Sequence, residues 1–264
     1  MKSKDKSYAV CRCVYALSTL CILMGIPLGC HTQKQTILTV SAAASLEDAM
    51  SEIEAAYKKD HADQNFRDNF GSSGILAREI ENGAPVDAFL SAASRPMDDL
   101  EATGLIAMGT RRDLLRNSLV LIAPRDSQLR GFEGLTDKAV RSIALGDPAS
   151  VPAGQYGRQT LVAQHLLERL NTKIVLAKDA RQVLTYVETG DADAGIVYAT
   201  DAQASGRVRV VAVAPESSHD PIVYPVGVVK ASSNEEAARK FIEYLSGPVA
   251  RAIFIKHGFR LASL

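Results

Sequence analysis

Short apolar runs alternate with helix-spaced apolar stripes along most of this chain. Residues 36–40 form the first run and read as a short buried strand. In residues 46–57, Leu46, Ala49, Met50, Ile53, Ala56 and Tyr57 share one face at helical spacing, which predicts an amphipathic helix. The loop between them is made of small residues, Ser41-Ala42-Ala43-Ala44-Ser45. Ser45 falls at the N-cap, with Asp48 three residues on, an acidic variant of the capping box. A polar segment, 58–69, leads to Phe70-Gly71-Ser72-Ser73-Gly74 and a second helix over 75–82, with Gly83 as its C-cap. Further strands are expected at 86–91, 118–123, 142–145, 173–177, 194–198, 208–214 and 223–229. Helices are expected at 97–103, 156–170 and 179–188. Two more close the chain, one from an Asn234 N-cap to Ser246 and one opening with Pro248. This order predicts an α/β fold with a largely parallel sheet.

Two strand-to-strand passages, 116–118 and 223–225, read as crossings between lobes. The expected division is then lobe I over 37–117 and 225–264, and lobe II over 118–224. Two crossings make a hinge, and a cleft between the lobes would hold a ligand.

Charge changes the picture of what that ligand is. The whole chain is formally neutral, and residues 31–264 keep 26 basic and 29 acidic side chains, a net charge near −3. No basic run stands out, which argues against nucleic acid. The N-terminus reads as a signal peptide over 1–29, with Lys2, Lys4, Lys6 and Arg12 ahead of an apolar run at 14–28. That run is shorter than the roughly 18 residues a membrane span wants. The four cysteines, Cys11, Cys13, Cys21 and Cys30, all lie within the first 30 residues, so no disulfide or cysteine metal site is expected beyond them. Leu28-Gly29-Cys30 resembles a bacterial lipoprotein processing site, with Cys30 lipidated and 30–36 as a tether. Pro27 and the bulky Leu28 depart from the usual pattern there. The expectation is export to the periplasm or cell envelope, with an anchor through Cys30.

Five positions share one chemistry. Ser45 and Ser73 begin helices after small-residue turns; Ala153, in Val151-Pro152-Ala153-Gly154, and Ala180, in Lys178-Asp179-Ala180-Arg181, stand at two more helix starts. Tyr198 ends a buried strand with a hydroxyl expected to be free to donate. A helix N-terminus leaves backbone N–H groups without internal partners and carries partial positive charge. Four such turns and one phenol form a donor set for an anion that needs no cationic side chain. Taken singly, each is ordinary capping.

Together the residues resemble the ModA family, molybdate-binding proteins of bacterial ABC importers. The matching stretches are Ala42-Ala43-Ala44-Ser45-Leu46, Phe70-Gly71-Ser72-Ser73-Gly74-Ile75-Leu76-Ala77-Arg78, Gly83-Ala84-Pro85-Val86-Asp87 and Gly146-Asp147-Pro148 with Val151-Pro152-Ala153-Gly154. Gly195-Ile196-Val197-Tyr198-Ala199-Thr200-Asp201-Ala202, Tyr224-Pro225-Val226 and Gly258-Phe259 complete them, in unbroken order from about residue 37 to the end. The resemblance implies a type II periplasmic binding protein fold, two α/β lobes around a cleft with two hinge crossings. It implies that molybdate, and tungstate with it, is held by the hydroxyl and N–H of Ser45 and of Ser73, the N–H of Ala153 and of Ala180, and the Tyr198 hydroxyl. It implies an ABC permease as partner, a monomer, and no cofactor. Gly74 stands where another small polar residue is common in the family, and Ala180 where Val is common, which bears on pocket shape.

Two other readings compete. One is a binding protein for a different tetrahedral oxyanion, tungstate-preferring or sulfate. Phosphate is disfavoured because its proton wants a carboxylate acceptor. The other is a secreted hydrolase, but there is no Gly-x-Ser-x-Gly elbow and the histidines, His31, His61, His165, His219 and His257, are scattered. His165 reads as a helix-surface residue and His257 as a helix C-terminal one; Asp87 and Asp147 read as loop and cap residues rather than metal ligands.

Overall fold

The computed structural model describes residues 35–262. The expected signal, Cys30 and most of the tether lie outside them. The first strand, β1 (Thr36–Ala43), turns through a single 3-10 turn, Ala44–Leu46, into α1 (Glu47–Asp60). Then come β2 (Gln64–Gly71), α2 (Ser73–Glu81), β3 (Ala88–Leu90), α3 (Ser94–Ala102) and β4 (Arg112–Arg116). The chain moves to a second sheet with β5 (Leu119–Pro124), β6 (Ile143–Gly146), α4 (Pro152–Ala163), α5 (Leu167–Leu170) and β7 (Ile174–Ala177). It continues through α6 (Ala180–Thr189), β8 (Ala194–Tyr198), α7 (Ala199–Gln203) and β9 (Val208–Val213). It closes in the first sheet with β10 (Val223–Val228), α8 (Glu235–Leu245), α9 (Pro248–Lys256) and β11 (Arg260–Leu261).

The first sheet has the order β11-β4-β10-β3-β1-β2, and the second β7-β6-β8-β5-β9. Neither is largely parallel, as the alternation predicted. β1 runs parallel to β2 and β3, and β6 parallel to β7 and β8. β10 lies antiparallel to β3 and β4, and β5 antiparallel to β8 and β9. The cause is the crossing itself: a strand that arrives from the other sheet enters without a helical crossover, and only such crossovers force parallel pairing. The outward passage lies between Arg116 and Leu119. The return lies between Val213 and Val223, earlier than 223–225, because Val223 and Tyr224 already pair with Arg116 and Leu115.

Local departures have local reasons. The polar segment 58–69 contains most of β2, a sheet-edge strand whose residues are mostly half-buried or exposed, so it needs no apolar run. The helix expected over 156–170 breaks after Ala163, where His165 takes φ 55°; it is a turn residue, not a helix-surface one. Asp87 is buried and accepts hydrogen bonds from the Thr39 N–H (2.7 Å) and the Ser232 hydroxyl (2.6 Å), tying β1 to the chain ahead of α8. Asp147 accepts from the Ala149 N–H at 3.0 Å, and His257 caps α9 beside Glu52 at 2.9 Å.

One apolar core runs through both lobes. It includes Leu38, Val40, Met50 and Phe241 around the first sheet, and Leu121, Ile143, Leu145 and Leu161 around the second. Burial of such side chains contributes about 1.5–3 kcal/mol each, which holds the turns at the strand ends in fixed places.

Candidate oxyanion site

The carboxyl ends of β1, β2 and β8 and the turns that follow β3, β6 and β7 meet on one cavity, the usual place for a ligand in open α/β sheets. Ser45, Ser73, Ala153, Ala180 and Tyr198 all line it. Its volume is about 10 Å³. That is close to the least space that holds one water molecule, so the cavity is closed tightly and leaves no room for a sugar or a peptide.

Each lining residue is placed by its own turn. Ser73 and Ala180 are the first residues of α2 and α6, and Ala153 follows Pro152 at the start of α4. Their N–H groups stand where a helix offers no acceptor, and no protein oxygen among the described residues bonds them. Neighbours do the capping instead. Ser72 accepts from the Ile75 N–H at 3.4 Å, and Asp179 from the Gln182 N–H at 2.8 Å. Among the described residues Asp179 is the one carboxylate on the cavity wall, and α6 occupies it in this way. Ser45 lies in the 3-10 turn ahead of α1 and makes no side-chain cap, so the capping box expected with Asp48 does not form. The extra turn moves Ser45 off the helix end, and Asp48 pairs instead with Arg181.

The hydroxyls are set by second partners. Ser73 Oγ accepts from the Ala92 N–H at 2.9 Å, which leaves its proton for the cavity. Ser45 Oγ lies 3.0 Å from the Tyr224 hydroxyl, which accepts from Asn117 Nδ2 at 3.2 Å. With Asn117 donating to the phenol oxygen, every group is satisfied when Tyr224 donates to Ser45, and Ser45 then keeps its own proton. Asn117 Nδ2 also donates to Thr200 Oγ1 at 2.9 Å, across the outward passage. The Tyr198 hydroxyl is not free, as the sequence suggested. It donates to the Ala92 carbonyl at 3.2 Å, because a buried hydroxyl takes whatever acceptor the fold presents. Burial drives the Tyr198 and Tyr224 phenols well above their ordinary pKa, so both keep their protons.

No Lys, Arg or His lines the cavity among the described residues. Arg181 is next in sequence to Ala180 but lies outside the wall. Burial works against its charge, yet the hydrogen bond to Asp48 and the charges of Asp201 and Asp48 outweigh that and raise its pKa. Arg181, Ala92, Asn117 and the Tyr224 hydroxyl were not singled out from sequence as site residues. Asn117 and Tyr224 carried a signal, both at the expected hinge and Tyr224 also in a matched stretch. The arrangement can bind a small, proton-free acceptor through neutral donors; it presents no nucleophile paired with a base.

Such a fold and site define a two-lobed solute-binding protein, which holds a small ligand between lobes and does not transform it. The model of the bacterial extracellular solute-binding proteins matches residues 38–260, and this chain belongs to that family. It is a binding protein, not an enzyme. It is 41% identical over 230 residues to the molybdate-binding protein ModA of Escherichia coli, covering 85% of this chain and 89% of that protein. It is 45% identical over 230 residues to YvgL of Bacillus subtilis, whose name describes an ABC transporter substrate-binding lipoprotein, covering 86% of this chain and 88% of that one. The solved periplasmic molybdate-binding protein of Azotobacter vinelandii superposes with a TM-score of 0.78 at 26% identity, over 86% of this chain and all of that one. The likeness to the ModA proteins therefore holds across the chain, and the type II periplasmic binding protein fold with it.

Proposed function

We propose that this protein captures molybdate, and tungstate with it, outside the cytoplasm and delivers the ion to the permease of an ABC importer. The observation that carries this reading is the meeting of Ser45, Ser73, Ala153, Ala180 and Tyr198 on one small cavity without a cationic side chain. A tetrahedral dianion offers acceptors only, and a donor-only shell satisfies it with strong, charge-assisted hydrogen bonds. The names of the ModA relatives support the same ligand. The protein acts as a monomer without a cofactor. Residues 37–117 and 223–264 form one lobe and 118–213 the core of the other, with the passages between them as hinge. Cys30 carries a lipid that keeps the protein at the membrane beside its permease, in line with the lipoprotein name of YvgL.

Size is what separates the candidate ions. Molybdate and tungstate are nearly equal, and sulfate is smaller with the same charge and acceptor count. Backbone donors at helix starts cannot all move inward, so sulfate leaves donors unsatisfied at about 1–3 kcal/mol each. Two such losses give roughly 10² to 10⁴-fold discrimination. Calorimetric titration of the purified mature chain with molybdate, tungstate, sulfate and phosphate tests the reading. Molybdate and tungstate should bind alike, and excess sulfate should not displace them. Sulfate displacing molybdate at comparable concentration, or no binding of molybdate, overturns it.

A further inference from the structure

Arg181 occupies the seam between the lobes. It stands one residue after Ala180 at the start of α6, but its guanidinium lines a separate small cavity on the far side of Ser45. Nε donates to the Ala44 carbonyl at 3.4 Å, and the guanidinium forms a close ion pair with Asp48 of α1. Both partners belong to the first lobe, while Arg181 belongs to the second. Within its own lobe it faces Asp201 of α7, whose Oδ1 lies 3.9 Å from Nε. That carboxylate is fully buried, and Oδ1 has no hydrogen-bond partner among the described residues. Its other oxygen accepts from the Tyr198 N–H at 3.2 Å. A buried carboxylate facing one guanidinium holds that guanidinium in place, so Arg181 is preset toward the first lobe before the lobes meet.

On the opposite side of the ligand cavity the Gly74 N–H donates to the Ser150 carbonyl at 3.1 Å, again across the seam. The two ties flank the cavity. The Arg181 tie grips Ala44, the residue before Ser45.

From this geometry we infer that Arg181 is a positioning residue that latches the closed cleft. It fixes the Ala44-Ser45 turn against the ligand through contacts that exist only when the lobes are together. The ion pair with Asp48 offsets its charge, so it contributes closure without placing a free cation at the anion site. The inference rests on the reading of the cavity as a molybdate site.

A latch made on closure slows release more than it speeds capture. Asp48 is half exposed, so the tie is weaker than a buried charge-assisted bond. Losing it should accelerate release about 3- to 20-fold. The test compares wild type with Arg181→Gln, Asp48→Asn and the double variant. Labelled molybdate is chased with unlabelled molybdate, and association is measured in parallel. Each single variant should release faster, with association within about twofold of wild type, and the double variant should be no worse than the worse single one. Asp48→Asn leaves Asp201 with its counter-charge, so its ligand-free melting temperature should match wild type. Small-angle scattering of the ligand-free proteins should show a larger radius of gyration in the variants. Release at the wild-type rate from Asp48→Asn overturns the latch. Wild type that binds no molybdate overturns the ligand reading instead, and scattering then judges the latch: identical curves for wild type and variants overturn it too.

Discussion

The hydroxyl of Ser73 accepts a hydrogen bond from the backbone N–H of Ala92, 19 residues further along the chain, at 2.9 Å. With that lone pair engaged, the hydroxyl proton is directed at the cavity. Ser73→Ala should therefore weaken molybdate binding by about 1.5–3 kcal/mol, the value of a lost hydrogen bond to a charged group. Ser45→Ala should cost a similar amount. Tyr224→Phe should cost less, about 0.5–1.5 kcal/mol, because it removes only the bond that orients Ser45. Isothermal calorimetry on the three variants decides this, and wild-type affinity in both serine variants would refute the assignment.

Gly74 meets the opposite lobe at close range. A Cβ added there would sit 2.6 Å from the Ser150 carbonyl oxygen and 3.1 Å from the Ser150 Cα. Backbone cannot swing aside as a side-chain tip can, so Gly74→Ala should hold the lobes apart. The expected outcome is affinity at least about tenfold lower, or 1.4 kcal/mol, with the ligand-free melting temperature unchanged. A drop in that melting temperature equal to the loss in the liganded protein would point to folding instead of closure.

Glu54, on α1, is buried against Asp68 of β2, and Glu54 Oε1 has no hydrogen-bond partner. Burial first, and then the Asp68 charge, raise its pKa well above the ordinary carboxylate range. The folded protein then holds a proton that the unfolded chain has released, from the ordinary value of about 4.3 up to the raised one. Over that window stability falls as pH rises. Asp201 acts in the same direction, its pKa pushed up to about 7 chiefly by burial, against the opposing charge of Arg181. Glu54→Gln should stabilise the protein by about 1–3 kcal/mol at pH 8–9, and not at pH 4. Urea unfolding at the two pH values measures it, and equal gains at both would contradict the shift.

Cys30 ends the apolar run ahead of a polar tether. Cys30→Ser should move the protein from the membrane fraction to the soluble envelope fraction, with its affinity for molybdate unchanged. Wild type found wholly soluble would rule out the anchor and leave export standing.

By itself, the sequence carried whatever is encoded within a few residues. The run of small residues at the end of β1, the Gly71-Ser72-Ser73-Gly74 turn and Val151-Pro152-Ala153-Gly154 each announce a strand end feeding a helix start. Helical periodicity and the breaks at glycine and proline are local physics too, so the alternation of elements was legible. The polar edge strand β2 was not, because its place is set by in-register pairing with β1 and not by its own side chains. Nor was the direction of the strands beside β10 and β5, which depends on where the chain crosses between sheets. The partners of the site's hydroxyls and of Arg181 are more distant still. Tyr198 meets Ala92 across 106 residues, Arg181 meets Ala44 across 137, and Ser45 meets Tyr224 across 179. A hydroxyl or guanidinium has many acceptors of equal chemistry along the chain. Which one it takes is decided only when the two sheets, packed over a shared core, bring one of them within about 3 Å.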